Sequence, residues 1–349
     1  MNTQLAAHQL SKLGNWLGLF AEAEPLYPGT HSGLTQAEFD QFLEAKNYAQ
    51  MANAWFTNEN INQALKGWSE SLKEIHVQKW LANYTLQPID KAVAIIMAGN
   101  IPLVGLHDLL CALVAGHQVM AKTSKDDSYL IKAVAKLITL LNPDLVSRIT
   151  FVEERKLEGF DKVIATGSNN TSRYFDYYFG KYPHIIRKNR NAVAVISETD
   201  TKETLQELGK DMFTFFGLGC RNVSKVYFPE GFDKDIFFNA IYSYNEVVNH
   251  HKYANNYDYH KALYLMNGDD LLDNEFLLLK ESEVLAAPVG VVFYEHYSSR
   301  EALNQTLQNR AEEIQCIVGE GYLPFGQAQT PMLWDYADGV DTLAFLLES

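Results

Sequence analysis

Cys220 stands in the run FFGLGCRNVSKVYF, residues 215–228, with glycines before it and a basic, polar stretch after it. Gly217 and Gly219 permit a tight turn and let a ligand approach the backbone. A thiol exposed on such a turn, with Arg221 and Lys225 near in sequence, has surroundings that favour the thiolate, the form that attacks a carbonyl carbon. The alternative is packing, since free cysteines are commonly small buried hydrophobes. Packing suits Cys111, on an apolar helix, and Cys316, in an apolar strand. For Cys220 both readings stay open on the residues alone.

Three further stretches carry groups that could meet a ligand. AGNIPL, residues 98–103, places Asn100 after an apolar run, with Pro102 stiffening the turn. An amide there can donate to a developing oxyanion, or it can cap the next helix. AKTSKDD, residues 121–127, offers Lys122 and Ser124 to a ribose or phosphate. ATGSNN, residues 165–170, offers the backbone N–H groups of Thr166, Gly167 and Ser168 to a pyrophosphate. None of these is a GxGxxG fingerprint or a Walker loop. Three cysteines without CxxC spacing argue against a disulfide framework or a zinc site, so no metal is expected.

The elements that must hold these groups follow from periodicity. Residues 1–80 read as helical, with Leu10, Leu13, Leu17 and Phe20 on one face and an Asn-rich helix start in FTNENINQ. Residues 81–190 alternate in type: a strand at Ala92–Met97, a helix fixed by Leu106, Leu109, Leu110, Leu113 and Val114, and a strand at Gln118–Ala121. A helix near Tyr129–Leu141 and strands in 148–153 and 161–168 follow. Short, continuously apolar strands belong to a parallel sheet covered on both faces, so the class is α/β and doubly wound. Residues 191–322 repeat the alternation, with a strand at Ala192–Ser197, a helix near Lys202–Phe216, the Cys220 turn and strands in 224–229, 289–295 and 314–319. Residues 323–349 form a C-terminal segment. The expectation is a cofactor-binding region and a catalytic region with a cleft between them.

The balance of 29 Lys plus Arg against 43 Asp plus Glu gives a net charge of −14 without a basic block, which excludes nucleic acid as an expected partner. No apolar run approaches the roughly 20 residues a membrane helix needs, and the N-terminus lacks a signal-peptide pattern. A cytoplasmic protein is expected.

Taken in order, strand-Asn-x-Pro, strand-Lys-x-Ser, strand-x-Thr-Gly-Ser, an Asn-Ala strand junction and a Gly-x-Gly-Cys turn resemble the aldehyde dehydrogenase superfamily over roughly residues 92–228. GCRNVSKVYFP and PFGQAQTPMLWDYADGVDTLAFL look more closely like the bacterial long-chain acyl-CoA reductases, the fatty-acid reductases of luminescence operons and their relatives. The resemblance implies an aldehyde-dehydrogenase-like fold: a doubly wound parallel-sheet cofactor domain plus an α/β catalytic domain. It also implies that Cys220 is the nucleophile, that Asn100 helps hold the oxyanion, and that Lys122, Ser124 and the Thr166-Gly167-Ser168 turn hold a nicotinamide dinucleotide.

Two departures refine what it implies. Hydrolytic members carry a Glu-Leu-Gly-Gly-Lys run whose Glu activates water, whereas the corresponding HIIRKNRNAVAV, residues 184–195, has no Glu, as suits an acyl-enzyme resolved by hydride. His184 is the counterpart of the reductases' histidine and a candidate proton carrier, or else a polar residue at a strand start. Lys125 replaces the Glu that NAD-preferring relatives place on the adenosine ribose; a lysine tolerates a 2′-phosphate, which favours NADPH, with NADH still possible. Glu283, in SEVLAAPVG, resembles the family's nicotinamide-ribose contact. The implied activity is reduction of an acyl-CoA, the acyl group being fatty, to the aldehyde through a cysteine thioacyl-enzyme. A homo-oligomer and an acyl-protein synthetase or carrier as partner are implied by analogy. A Cys-dependent acyltransferase or thioesterase on the same scaffold and a non-catalytic acyl-binding subunit are the alternatives.

Overall fold

The computed structural model describes residues 3–348 except 88, 154–156 and 168, and at 169 and 170 the helical backbone alone. The chain divides into two compact units, residues 1–188 with 331–349, and residues 189–330.

The first unit opens with helices α1 (Thr3–Phe20), α2 (Gln36–Ala52), α3 (Asn58–Ser71) and α4 (Glu74–Leu81). Leu10, Leu13, Leu17 and Phe20 all face inward from α1, as their spacing requires. Thr57 caps α3, accepting the Asn60 N–H, so the Asn-rich stretch is a helix start. Strand β1 (Ala92–Ile96), helix α5 (Leu106–Val114), strand β2 (Gln118–Lys122), helix α6 (Tyr129–Leu141), strands β3 (Ile149–Phe151) and β4 (Lys162–Thr166), helix α7 (Asn169–Phe179) and strand β5 (His184–Arg187) then build a sheet of order β3-β2-β1-β4-β5. Every pairing in it is parallel. Side chains alternate across it: Val93, Ile95, Val119 and Ala121 join the core with α5 and α6, while Ala94, Val163 and Ala165 meet Phe175 and Phe179 of α7. Both faces are covered, which is why the strands read as unbroken apolar runs. The order reverses between β1 and β4, so that is where a doubly wound sheet opens a crevice beyond the carboxyl ends of its strands.

In the second unit come strand β6 (Asn191–Val195), helix α8 (Lys202–Phe213), strand β7 (Val223–Pro229), helices α9 (Lys234–Ile241) and α10 (His251–Asn267), and strands β8 (Leu272–Asp273), β9 (Leu278–Glu281) and β10 (Val291–Tyr297). Helix α11 (Arg300–Asn309) and strand β11 (Ile314–Gly319) complete it. The sheet order is β11-β6-β7-β10-β9-β8, parallel except for the antiparallel β8–β9 pair at one edge. Strand β10 starts at Val291 because Gly290, at φ 82°, turns the chain first. From Pro331 the chain returns to the first unit and ends in helix α12 (Thr342–Leu347).

Candidate active site

The carboxyl ends of the first sheet gather six of the residues singled out by sequence: Asn100, Lys122, Ser124, Lys125, Thr166 and Gly167. Lys122 is the last residue of β2, and its carbonyl accepts the Met97 N–H at 2.9 Å, fastening the end of β1 to the end of β2. Two residues on, Ser124 accepts the Asp126 N–H at 3.1 Å, which shapes the turn into α6. Gly99 packs against that turn: a Cβ there would lie 2.6 Å from the Ser124 side chain. Asn100 follows, exposed. The N-cap of α5 is Gly105, five residues further, so Asn100 is not that helix's cap. On the neighbouring strand, Thr166 ends β4 and Gly167 lets the chain pass close under α7, where a Cβ would lie 2.9 Å from the Phe175 ring. Ser168 lies outside the described residues. Asn100 and the Thr166-Gly167 turn therefore flank the point at which the strand order reverses.

What this edge offers a ligand is the ammonium groups of half-buried Lys122 and exposed Lys125, the Ser124 hydroxyl, and a glycine turn leading into the N-terminus of the 11-residue α7. That donor set fits a phosphate-bearing dinucleotide. The Thr166 hydroxyl is turned the other way, 3.5 Å from Nη1 of Arg187, whose guanidinium forms a buried two-pronged pair with Asp108.

His184 does not join this group. It is the first residue of β5, at the amino end of a parallel strand, and its Nδ1 lies 2.8 Å from the Tyr182 carbonyl. In register it stands beside Val163, whereas Thr166 stands beside Arg187 at the other end. The strand-start reading describes its surroundings.

Cys220 is exposed, while Cys111 is buried and Cys316 half-buried. The turn that carries it is not the helix end the sequence implies. Helix α8 stops at Phe213, and Phe215, Phe216 and Gly217 take φ of 55°, 57° and 77° in succession. Two phenylalanines in the left-handed region are strained, and such a turn persists only where its surroundings fix it. Asn222, 3% exposed, does much of this: its side chain accepts the Gly219 N–H at 2.8 Å and donates to the carbonyls of Thr214 at 2.8 Å and Asp211 at 3.0 Å. The Asp211 carboxylate accepts the N–H groups of Gly326 and Ala328 at 2.7 and 2.8 Å, and Gln329 donates to the Arg221 carbonyl at 2.9 Å. Asn222, Asp211 and Gln329 escaped the sequence reading; the one local signal was an Asn two residues after the cysteine.

The two cations near Cys220 in sequence are committed elsewhere. Arg221 donates through Nε to the Ala328 carbonyl at 2.5 Å. Lys225 is fully buried, paired with Glu295 at 2.6 Å and bonded to the Ser282 carbonyl. Burial lowers the Lys225 pKa against the raising effect of Glu295. Lys225 clamps the loop that carries Glu283, as does Ser224, which donates to the Leu285 carbonyl at 2.8 Å. Arg310 holds the Glu283 carbonyl itself, leaving that side chain exposed. The structure thus brings the Glu283 loop to the start of β7, three residues beyond Cys220.

A match to the family described as acyl-CoA reductase (LuxC) spans residues 30–235, more than half of the chain and all of the stretch from Asn100 to Cys220. The chain belongs to the acyl-CoA reductase (LuxC) family. No match is found among the curated proteins. Among solved structures, aldehyde dehydrogenase 21 of Physcomitrella patens, in complex with succinate, is similar with a TM-score of 0.63 at 13% identity, over 92% of this chain and 74% of that one. An aldehyde dehydrogenase of Bacillus cereus, in complex with NAD+, has a TM-score of 0.60 at 14% identity, over 91% of this chain and 72% of that one. The fold of this LuxC-family chain is that of the aldehyde dehydrogenases. Family and fold together make it an oxidoreductase acting on aldehyde or acyl groups. Among the described residues no helix is long and apolar enough to cross a membrane.

Proposed function

We propose that the protein reduces a fatty acyl-CoA to the aldehyde with NADPH, through a thioacyl-enzyme on Cys220. The observation that carries this reading is the Cys220 turn: among the described cysteines it alone is exposed, on a strained turn fixed by buried polar side chains. The Cys220 sulfur attacks the thioester carbon and the carbonyl electron pair moves to oxygen. Asn100 and the Cys220 N–H are the donors for that oxyanion. The oxyanion collapses, the carbon–sulfur bond to CoA breaks, and CoA leaves as the thiolate while the acyl group stays on Cys220. The dinucleotide, when bound, supplies hydride to the thioester carbon. Breaking the remaining bond to Cys220 then frees the aldehyde and restores the thiolate.

Lys122, Ser124, Lys125 and the turn at Thr166, Gly167 and Ser168 are the proposed cofactor contacts in the first unit, and Glu283 in the second. Lys125 in place of an acidic ribose contact favours NADPH over NADH. The segment 184–195 carries no carboxylate that could activate water. His184 takes no part in these steps, because it lies at the amino ends of the strands and the proposed contacts lie at their carboxyl ends. We expect a cytoplasmic homo-oligomer, with an acyl-protein synthetase or carrier as a possible partner.

The test follows nucleotide oxidation and free CoA together, with palmitoyl-CoA and either NADPH or NADH, for the wild type and Cys220→Ala. Equal stoichiometry, faster with NADPH and absent in the variant, is the expected result. Turnover retained by Cys220→Ala would overturn the mechanism. CoA release with the nucleotide untouched would make the protein an acyltransferase or thioesterase, and binding of acyl-CoA without either product would make it a binding subunit.

A further inference from the structure

The turn after β1 and the turn after β2 are joined by one buried carboxyl. Asp127 is 4% exposed, and its Oδ2 accepts the Leu103 N–H at 2.6 Å. Its Oδ1 has no hydrogen-bond partner among the described residues. Leu103 is itself held at φ 61°, a left-handed conformation that is strained for a residue with a Cβ. It lies three residues after Asn100, with Pro102 between them. On the other side, a Cβ at Gly99 would meet the Asp127 N at 3.1 Å as well as the Ser124 side chain. The backbone that carries Asn100 is therefore gripped from both ends of its turn by the segment that carries Lys122 and Ser124.

A carboxyl is an expensive way to fill this place. Burial pushes its pKa up to about 7 against the downward pull of the Leu103 N–H. One of its oxygens goes without a bond among the described residues, which is destabilising for a buried polar group. An apolar side chain would avoid that cost, but it would leave the Leu103 N–H unpaired and nothing to hold the strained turn. We infer that Asp127 is a positioning residue, which fixes the Asn100 turn for the oxyanion and locks it to the cofactor-binding turn at Lys122–Ser124. The inference rests on the reading of Asn100 as an oxyanion donor. A residue that merely stabilised the fold would act on the rate independently of Asn100, whereas one that acts through Asn100 has nothing left to position once that amide is gone.

The experiment is a double-mutant cycle on the full-length protein. It reads the rapid release of CoA from palmitoyl-CoA without dinucleotide, which isolates formation of the thioacyl-enzyme. Asn100→Ala is expected to slow this step about 10²- to 10³-fold, as loss of an oxyanion donor does elsewhere. Asp127→Ala is expected to slow it about tenfold or more, and the double variant to match Asn100→Ala within about twofold. Asp127→Asn, which keeps an acceptor for the Leu103 N–H, is expected to stay within about threefold of wild type. Should Asp127→Ala fail to fold, Asp127→Leu, which fills the place and offers no acceptor, takes its place in the cycle. A normal rate in the Asp127 variant, or a double variant slowed by the product of the two single effects, overturns the inference while leaving Asn100 in its role. A normal rate in Asn100→Ala, by contrast, removes the oxyanion reading itself and the inference with it.

Discussion

Asp127 titrates far from where it would in an unfolded chain, and the sign of that difference can be measured apart from catalysis. In the folded protein its carboxyl titrates at about 7, against about 3.9 unfolded. Between those values the folded chain holds a proton that the unfolded chain has lost, so this group's contribution to stability falls as pH rises from about 4 to about 7 and is level above that. Asp127→Asn removes the titration and retains the acceptor. The stability of the variant relative to wild type should therefore grow between pH 5 and pH 7 by at most about 1.4 kcal/mol per pH unit, then stop growing. Urea unfolding of both proteins at pH 5, 6, 7 and 8 checks this. A difference that is flat across that range, or that shrinks with rising pH, would mean that the carboxyl is not held out of water as its burial implies.

At the scale of elements, the C-terminal segment is as much a part of the first unit as the helices that open it. Trp80 of α4 donates to the Tyr336 hydroxyl at 2.7 Å; that hydroxyl pairs with Tyr84 at 2.7 Å, and Tyr84 donates to Asp341 at 2.6 Å. Further along, His117 Nε2 lies 2.8 Å from the Leu346 carbonyl, Lys162 donates to the carbonyls of Phe345 and Glu348, and Thr342 accepts from Arg187 at 2.8 Å. Tyr336→Phe deletes the middle of the chain and leaves the Trp80 N–H, on a side chain 1% exposed, without its acceptor. A loss of about 1–3 kcal/mol in unfolding free energy is expected, with the proposed release of CoA at Cys220 unchanged at a temperature where the variant is folded. None of this was legible in sequence, because the partners lie between 155 and 257 residues apart and leave no local pattern. Elements fixed by local periodicity were legible: α6 spans Tyr129–Leu141 and β11 Ile314–Gly319, as their apolar spacing requires. The placement of the candidate residues was legible to the extent that it depends on residue types at or just after strand ends, as with Asn100, Lys122 and Thr166. It was hidden where backbone conformation decides, since nothing in a Phe-Phe pair foretells two left-handed residues before Cys220. Lys225 misled for a related reason: nearness in sequence says nothing about which side of a strand a cation faces.

For the whole molecule the relevant quantity is charge. The chain carries a net −14, and the proposed substrate and cofactor are both polyanions, so long-range electrostatics opposes their approach. Lys122 and Lys125, as the proposed cofactor contacts, would act against this only at close range. The Debye length sets the balance: about 30 Å at 0.01 M salt, where the field of the whole chain reaches the ligand, and about 8 Å at 0.15 M, where only neighbouring groups count. Raising the salt over that interval should therefore increase kcat/KM for octanoyl-CoA several-fold, the reverse of the usual fall for an electrostatically steered enzyme. Octanoyl-N-acetylcysteamine, the same thioester without the charged nucleotide, controls for effects of salt on the chemistry. With NADPH saturating at every salt concentration, its kcat/KM should stay level while that of the CoA ester rises. A fall for the CoA ester would show that cations near its binding site outweigh the net charge even at long range.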